Sequence, residues 1–127
     1  MRLLLDSHVF LWWVADDARL PSKLRRRLEA ADSECWVSHA SVWEMAIKIS
    51  LGKLRVDCPV GRFVAEHCES NGFRLLPIGF KHVCLVETLP WHHRDPFDRL
   101  LVAQAMCEGL ALATRDASMR RYGVKIA

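Results

Sequence analysis

A chain of 127 residues, 51% hydrophobic and 26% charged, can bury one real core and is too apolar to stay disordered. Its net charge of +3 is too small to mark a nucleic-acid binder by itself. Five cysteines, an odd number with no CxxC pair, argue against a disulfide framework and a zinc site, and favour a reducing compartment.

Leu3–Leu5 is a short apolar run ending at Asp6, the pattern of a strand buried on both faces in a parallel sheet. It is too short for a signal peptide, and no apolar run reaches the ~18 residues of a membrane span. A cytoplasmic chain without membrane association is expected. Asp6 or Ser7 can cap the next helix, Val9–Val14, which carries Trp12 and Trp13 and ends at Asp16-Asp17. Leu20-Pro21 opens a second helix, to about Ala31, and its run of Lys23, Arg25, Arg26 and Arg27 reads as a solvated face. Cys35–Val37 is a second strand. Ser38 or Ser41 caps a third helix, stopped by Gly52, with Trp43, Ala46, Ile47, Ser50 and Leu51 as its inward face. Pro59 precedes a helix over Val60–Ser70, closed by Asn71-Gly72. Phe73–Ile78 is a third strand, Lys81–Glu87 a short helix and Leu89–Asp95 a loop.

The densest stretch is His92–Ala105, where a charged loop turns into an amphipathic helix, Pro96–Glu108, that ends at Gly109. Pro96 suits the first helical position, which makes Asp95 the N-cap and Asp98 the third helical residue. Leu110–Thr114 is a fourth strand, Asp116–Tyr122 a short helix and Val124–Ile126 an edge strand. Strands alternate with helices throughout. The pattern predicts βαβ units in a single domain of the α/β class, with a parallel sheet of four to five strands flanked by helices on both faces.

Sites on such sheets form at the carboxyl ends of strands. Asp6 follows the first strand and Asp116 the fourth. Glu44 lies early in the helix after the second strand, and Asp98 in the first turn of the helix leading to the fourth. Each alone has a structural explanation. Asp6 and Asp116 can be N-caps, and Ser41–Glu44 and Asp95–Asp98 have the form of capping boxes. Capping does not explain four acids at one edge. Carboxylates that close repel one another unless a cation sits among them. A set of oxygen ligands suits Mg²⁺ or Mn²⁺, and such a centre suits phosphodiester hydrolysis. Asp95 has a sufficient role as the N-cap and is expected to stand behind the site at most.

Four segments carry a resemblance to a known family. They are Leu3-Leu4-Leu5-Asp6-Ser7-His8-Val9-Phe10-Leu11-Trp12-Trp13, Ser38–Lys48 with Leu51-Gly52-Lys53-Leu54 after it, Leu89–Ala105, and Leu112-Ala113-Thr114-Arg115-Asp116. In this order and spacing the chain resembles a PIN-domain protein, specifically a VapC-type ribonuclease toxin of a type II toxin–antitoxin pair, over residues 1–127. The resemblance implies a PIN-like three-layer sandwich and a metal-dependent endoribonuclease. Asp6, Glu44, Asp98 and Asp116 match its acidic positions. Asp6 and Asp98 would be the principal metal ligands, completed by Asp116 and by Glu44 directly or through water. Hydrolysis of tRNA or rRNA would leave a 5′-phosphate and a 3′-hydroxyl. The family also implies a homodimer and a VapB-type antitoxin that covers the acidic pocket. Position 7 is Ser where relatives often carry Thr, and either hydroxyl supports the site.

Arg94, Arg99 and Arg115 flank the acids as candidates for RNA phosphates, against the plainer reading of surface solubility. Ser7 can orient a ligand or cap a helix. His92 and His93 read as loop residues, and Trp12, Trp13, Trp43 and Trp91 as core or partner contacts before stacking sites for bases. The rival function is a non-catalytic interaction module of the same fold, its acids serving only as caps.

Overall fold

The computed structural model describes residues 1–127. The chain runs β1 (Arg2–Leu5), α1 (Ser7–Val14), α2 (Ser22–Glu29), β2 (Glu34–Ser38), α3 (His39–Ser50), α4 (Val60–Asn71), β3 (Arg74–Leu76), α5 (Phe80–Val86), α6 (Pro96–Glu108), β4 (Ala111–Ala113) and a 3₁₀ helix, Ala117–Tyr122. Leu3, Leu4 and Leu5 are fully buried, because successive side chains of β1 leave opposite faces of the sheet and helices cover both. Leu3 and Leu5 join a cluster with Phe10, Leu24 and Val64 from α1, α2 and α4. Leu4 joins Leu101, Val102 and Ala105 of α6 on the other side. The domain is therefore the expected three-layer α/β sandwich.

All strand pairs are parallel, in the order β3-β2-β1-β4. The chain steps outward from β1 to β3 and then returns to the far side of β1. The change of direction falls between β1 and β4, where open α/β sheets place their sites. The expected edge strand at Val124–Ile126 is reduced to one parallel bridge between Ile126 and Leu112.

Several boundaries differ for identifiable reasons. β3 is shorter than Phe73–Ile78, because the Phe73 amide is taken by the Cys68 carbonyl at the end of α4 and Pro77 has no amide to donate. Gly72 makes that sharp exit in the left-handed conformation at φ 67°. Ser38, not Ser41, caps α3, accepting from the Ala40 amide. Ser41 then lies inside the helix and is buried, so Ser41–Glu44 is not a capping box. The expected inward face of α3 is also wrong. Ala40, Ser41 and Met45 face inward, whereas Trp43, Ile47 and Leu51 are exposed. Trp43 is met edge-on by Phe97 at 4.9 Å instead.

Arg99 is the main internal support of the loop before α6. It is 2% exposed. Its guanidinium donates to the carbonyls of Pro90 at 2.7 Å, Val86 at 3.1 Å and Leu89 at 3.2 Å, and lies 3.8 Å from the Trp91 ring centroid. A phosphate-binding role for Arg99 is thereby overturned, since its donors are spent inside the chain. The Val86 carbonyl also accepts from the Leu89 amide, but charge-assisted bonds to three carbonyls from a buried guanidinium make this a costly group to remove. Arg99→Met should lower unfolding free energy by about 3 kcal/mol, read as a lower urea midpoint with an unchanged slope.

A candidate active site at the strand switch point

Asp6 directly follows β1. Its amide donates to Ala113 of β4 at 3.1 Å, and its carboxylate caps α1 by accepting from the Val9 amide at 2.8 Å. Burial raises the Asp6 carboxyl above its usual range, with Thr114, Val9 and His8 acting the other way and Glu44 adding to the rise. Glu44 reaches the same place from α3. Ser7 Oγ donates to its Oε1 at 2.6 Å, and Lys48 Nζ lies 3.1 Å from its Oε2.

Asp98 arrives one turn into α6. The helix begins as its sequence requires, with Pro96 first and Asp95 accepting from the amides of Phe97 and Asp98 at 2.8 and 3.1 Å. The Asp98 carboxyl is pushed up to about 7, first by burial and then by the negative charges of Asp95, Asp6 and Glu44, with His93 opposing. No hydrogen bond is among these influences. Asp116 differs. It caps the 3₁₀ helix, accepts from the Ser118 amide and hydroxyl, and pairs with His93 Nε2 at 3.1 Å. Those partners, Ser118 above all, hold its carboxyl below the usual range. The acids line a cavity of about 280 Å³.

Asp6, Glu44, Asp98 and Asp116 thus share one pocket, as the sequence predicts. Asp98, Asp6 and Glu44 feel one another's charge, while Asp116 sits at the rim and is committed to His93 and Ser118. Ser7 orients Glu44 and does not cap α1. Asp95 is the N-cap, yet it also lines the pocket and is the strongest neighbouring charge on Asp98. Arg94 and Arg115 are exposed, with Arg115 5.8 Å from the Trp12 ring centroid. Sequence reasoning underrated His93, overlooked Thr114 as a partner of Asp6, and gave Lys48 no role. Lys48 had a signal: it follows Glu44 by four residues, so the two share a helix face.

The donor set decides which cation the pocket suits. It offers carboxylate and hydroxyl oxygens and no thiolate, the ligands of a hard divalent ion. A half-buried, like-charged Asp98 without a hydrogen bond is what a bound cation would relieve. No three His, Cys, Asp or Glu side chains stand close enough to form a ready-made metal site. An ion that keeps several waters, as Mg²⁺ does, needs none.

The fold and the pocket define a class: a three-layer α/β domain with carboxylates gathered where its parallel strands change direction. The sequence profile of the PIN domain family matches residues 3–125, and the chain belongs to that family. It is 33% identical over 124 residues to ribonuclease VapC22 of Mycobacterium tuberculosis, covering 94% of this chain and 91% of that protein. Its fold is similar to VapBC2 of Rickettsia felis bound to a promoter DNA fragment, at TM-score 0.72 and 12% identity, over 99% of this chain and 96% of that one. It is also similar to VapBC-1 of nontypeable Haemophilus influenzae, at TM-score 0.71 and 13% identity, over 100% and 97%. The expected PIN-domain resemblance is borne out.

The crowding of Asp98 has a pH signature. Its folded-state pKa lies above the unfolded value, so its stabilising contribution is complete at low pH and is lost as pH rises from about 4 through about 7. In EDTA, Asp98→Asn should be more stable than wild type at pH 8 by about 2 kcal/mol, a value reduced for solvent screening of a partly exposed group. The gap should close towards pH 4. Thermal melts across that range test it, and a constant difference would refute it.

Proposed function

We propose that the chain is a metal-dependent endoribonuclease, the toxic component of a toxin–antitoxin pair, hydrolysing RNA phosphodiesters in its acidic pocket. Asp98 carries the reading: a half-buried carboxylate that takes no hydrogen bond and is opposed by three other acids is poor structure and good ligation. The rival, a non-catalytic module, needs the acids as caps. Asp6, Asp95 and Asp116 do cap helices, but Asp98 and Glu44 cap nothing.

In this reading Asp6, Asp98 and Asp116 hold Mg²⁺ or Mn²⁺, with Glu44 completing the site. The bound ion supplies a water of lowered pKa and screens the phosphate. Ser7 and Lys48 hold Glu44 in place, and His93 holds Asp116. Hydrolysis with such a water would leave a 5′-phosphate and a 3′-hydroxyl. The relative named ribonuclease VapC22 supports the activity, and the VapBC complexes support a VapB-type antitoxin as partner. The substrate class would be tRNA or rRNA. Exposed Phe80 and Val83 on α5, and Trp43 and Leu51 near α3, leave apolar surface for a homodimer and an antitoxin. No helix is long and apolar enough to cross a membrane.

Antitoxin-free protein incubated with total RNA should produce discrete new 5′ ends in Mg²⁺ or Mn²⁺ and none in EDTA. Asp98→Asn should cut at least about a hundredfold more slowly, and the ion should raise the melting temperature of wild type but not of the variant. Absence of discrete cleavage in both metals would sink the nuclease reading.

A further inference from the structure

The acidic pocket does not stand alone. A larger groove of about 710 Å³ opens beside it, between α1, α4 and the loop over residues 53–58. His8 and Lys48 line both cavities and mark their junction. Lys48 is the single lysine or arginine among the residues of the acidic pocket. A polyanion approaching five carboxylates needs a cation at the entrance, and Lys48 stands there with its side chain 37% exposed.

Lys48 pairs with Glu44, but Glu44 does not depend on Lys48 alone. Ser7 holds one carboxylate oxygen and Lys48 the other. If Lys48 swings away, Glu44 keeps its hydroxyl partner. The groove adds two complementary features. Lys53 and Arg55 on its far wall are exposed and have no ion-pair partner within the chain. Trp12 is half-buried, with the His8 ring centroid 5.7 Å away and the guanidiniums of Arg19 and Arg115 at 5.6 and 5.8 Å. An indole flanked by two guanidiniums, that of Arg19 already paired with Asp17, beside a phosphate-handling pocket has the chemistry of a stacking platform for single-stranded nucleic acid.

We propose that the groove is the path by which a single RNA strand enters the acidic pocket, with Lys48 gripping a backbone phosphate at the junction and Trp12 stacking a neighbouring base. The inference rests on the nuclease reading and names how that site receives its substrate. Contacts to phosphates and to a base face make the path tolerant of sequence.

The test is binding of a short, unstructured, fluorescently labelled RNA oligonucleotide to the antitoxin-free full chain in EDTA, measured against salt. Lys48→Ala should weaken binding about tenfold and lower the log–log salt slope by about 0.7, one phosphate contact on a single strand. Lys48→Arg should restore most of the affinity. Trp12→Ala should weaken binding at least about fivefold, with Trp12→Phe close to wild type. Should Trp12→Ala unfold the chain, the paired Lys53→Ala, Arg55→Ala variant carries the same expectation, with a slope lower by about 1.4.

Lys48 also neutralises Glu44, so the decisive comparison is Glu44→Gln with and without Lys48→Ala. A second loss of affinity in that background supports a direct grip. No loss there means Lys48 only balances Glu44, and the inference falls. It also falls if these folded variants bind the oligonucleotide as wild type does, or if they lose only a co-expressed protein partner. Wild type that cleaves RNA while the groove variants bind normally overturns this inference alone. Wild type that neither binds nor cleaves RNA overturns the nuclease reading with it.

Discussion

Mutual repulsion among carboxylates is the constraint around which this domain is built. Five of them line one pocket, and each but one is restrained by a specific partner. Asp6 takes the Val9 amide, Asp95 takes two amides of α6, Asp116 takes Ser118 and His93, and Glu44 takes Ser7 and Lys48. Three of these restraints are helix N-termini, where partial positive charge meets the acid. Only Asp98 is held by its backbone position alone. That asymmetry separates the pocket from a set of ordinary caps.

The scaffold can hold the acids together because their attachment points are rigid. Asp6 hangs on the central strand, tied to β4 through Ala113. Asp98 is fixed by a proline-started helix whose next residue, Arg99, turns the other way and pins three carbonyls of the preceding loop. Adjacent residues on α6 thus serve opposite ends: one charge is buried with both terminal nitrogens of its guanidinium bonded, and its neighbour is half-buried with no donor to accept from.

Much of this was legible in the sequence because it rests on local rules. The Leu3–Leu5 run, the Asp95-Pro96 start and the Gly109 stop each fix an element through a few neighbouring residues. The four acids were legible because each sits at a predicted strand or helix end, and topology alone brings such ends together. What failed depended on partners distant in the chain. Ser41–Glu44 mimics a capping box, but Ser38 had already taken the cap, and Glu44 answers to Ser7, 37 residues earlier. The apolar spacing of Trp43, Ile47 and Leu51 marks a face without saying whether core or solvent meets it. Arg99 resembles a surface arginine until the loop over residues 86–90 closes on it.

Asp95 shows how a structural role and a functional one coincide. As N-cap it fixes the start of α6 and therefore the position of Asp98. As a carboxylate lining the pocket it is the strongest neighbouring charge opposing ionisation of Asp98. The cap that positions the proposed ligand also makes that ligand reluctant to be charged without a cation. In the proposed nuclease the same geometry would favour a divalent ion, which attracts several ionised carboxylates at once, whereas a proton neutralises one of them. The carboxylate arrangement is least favourable when its acids are ionised and no cation is bound. On this reading, binding the ion and stabilising the fold are one event, since whatever binds only the folded chain shifts the folding equilibrium towards it.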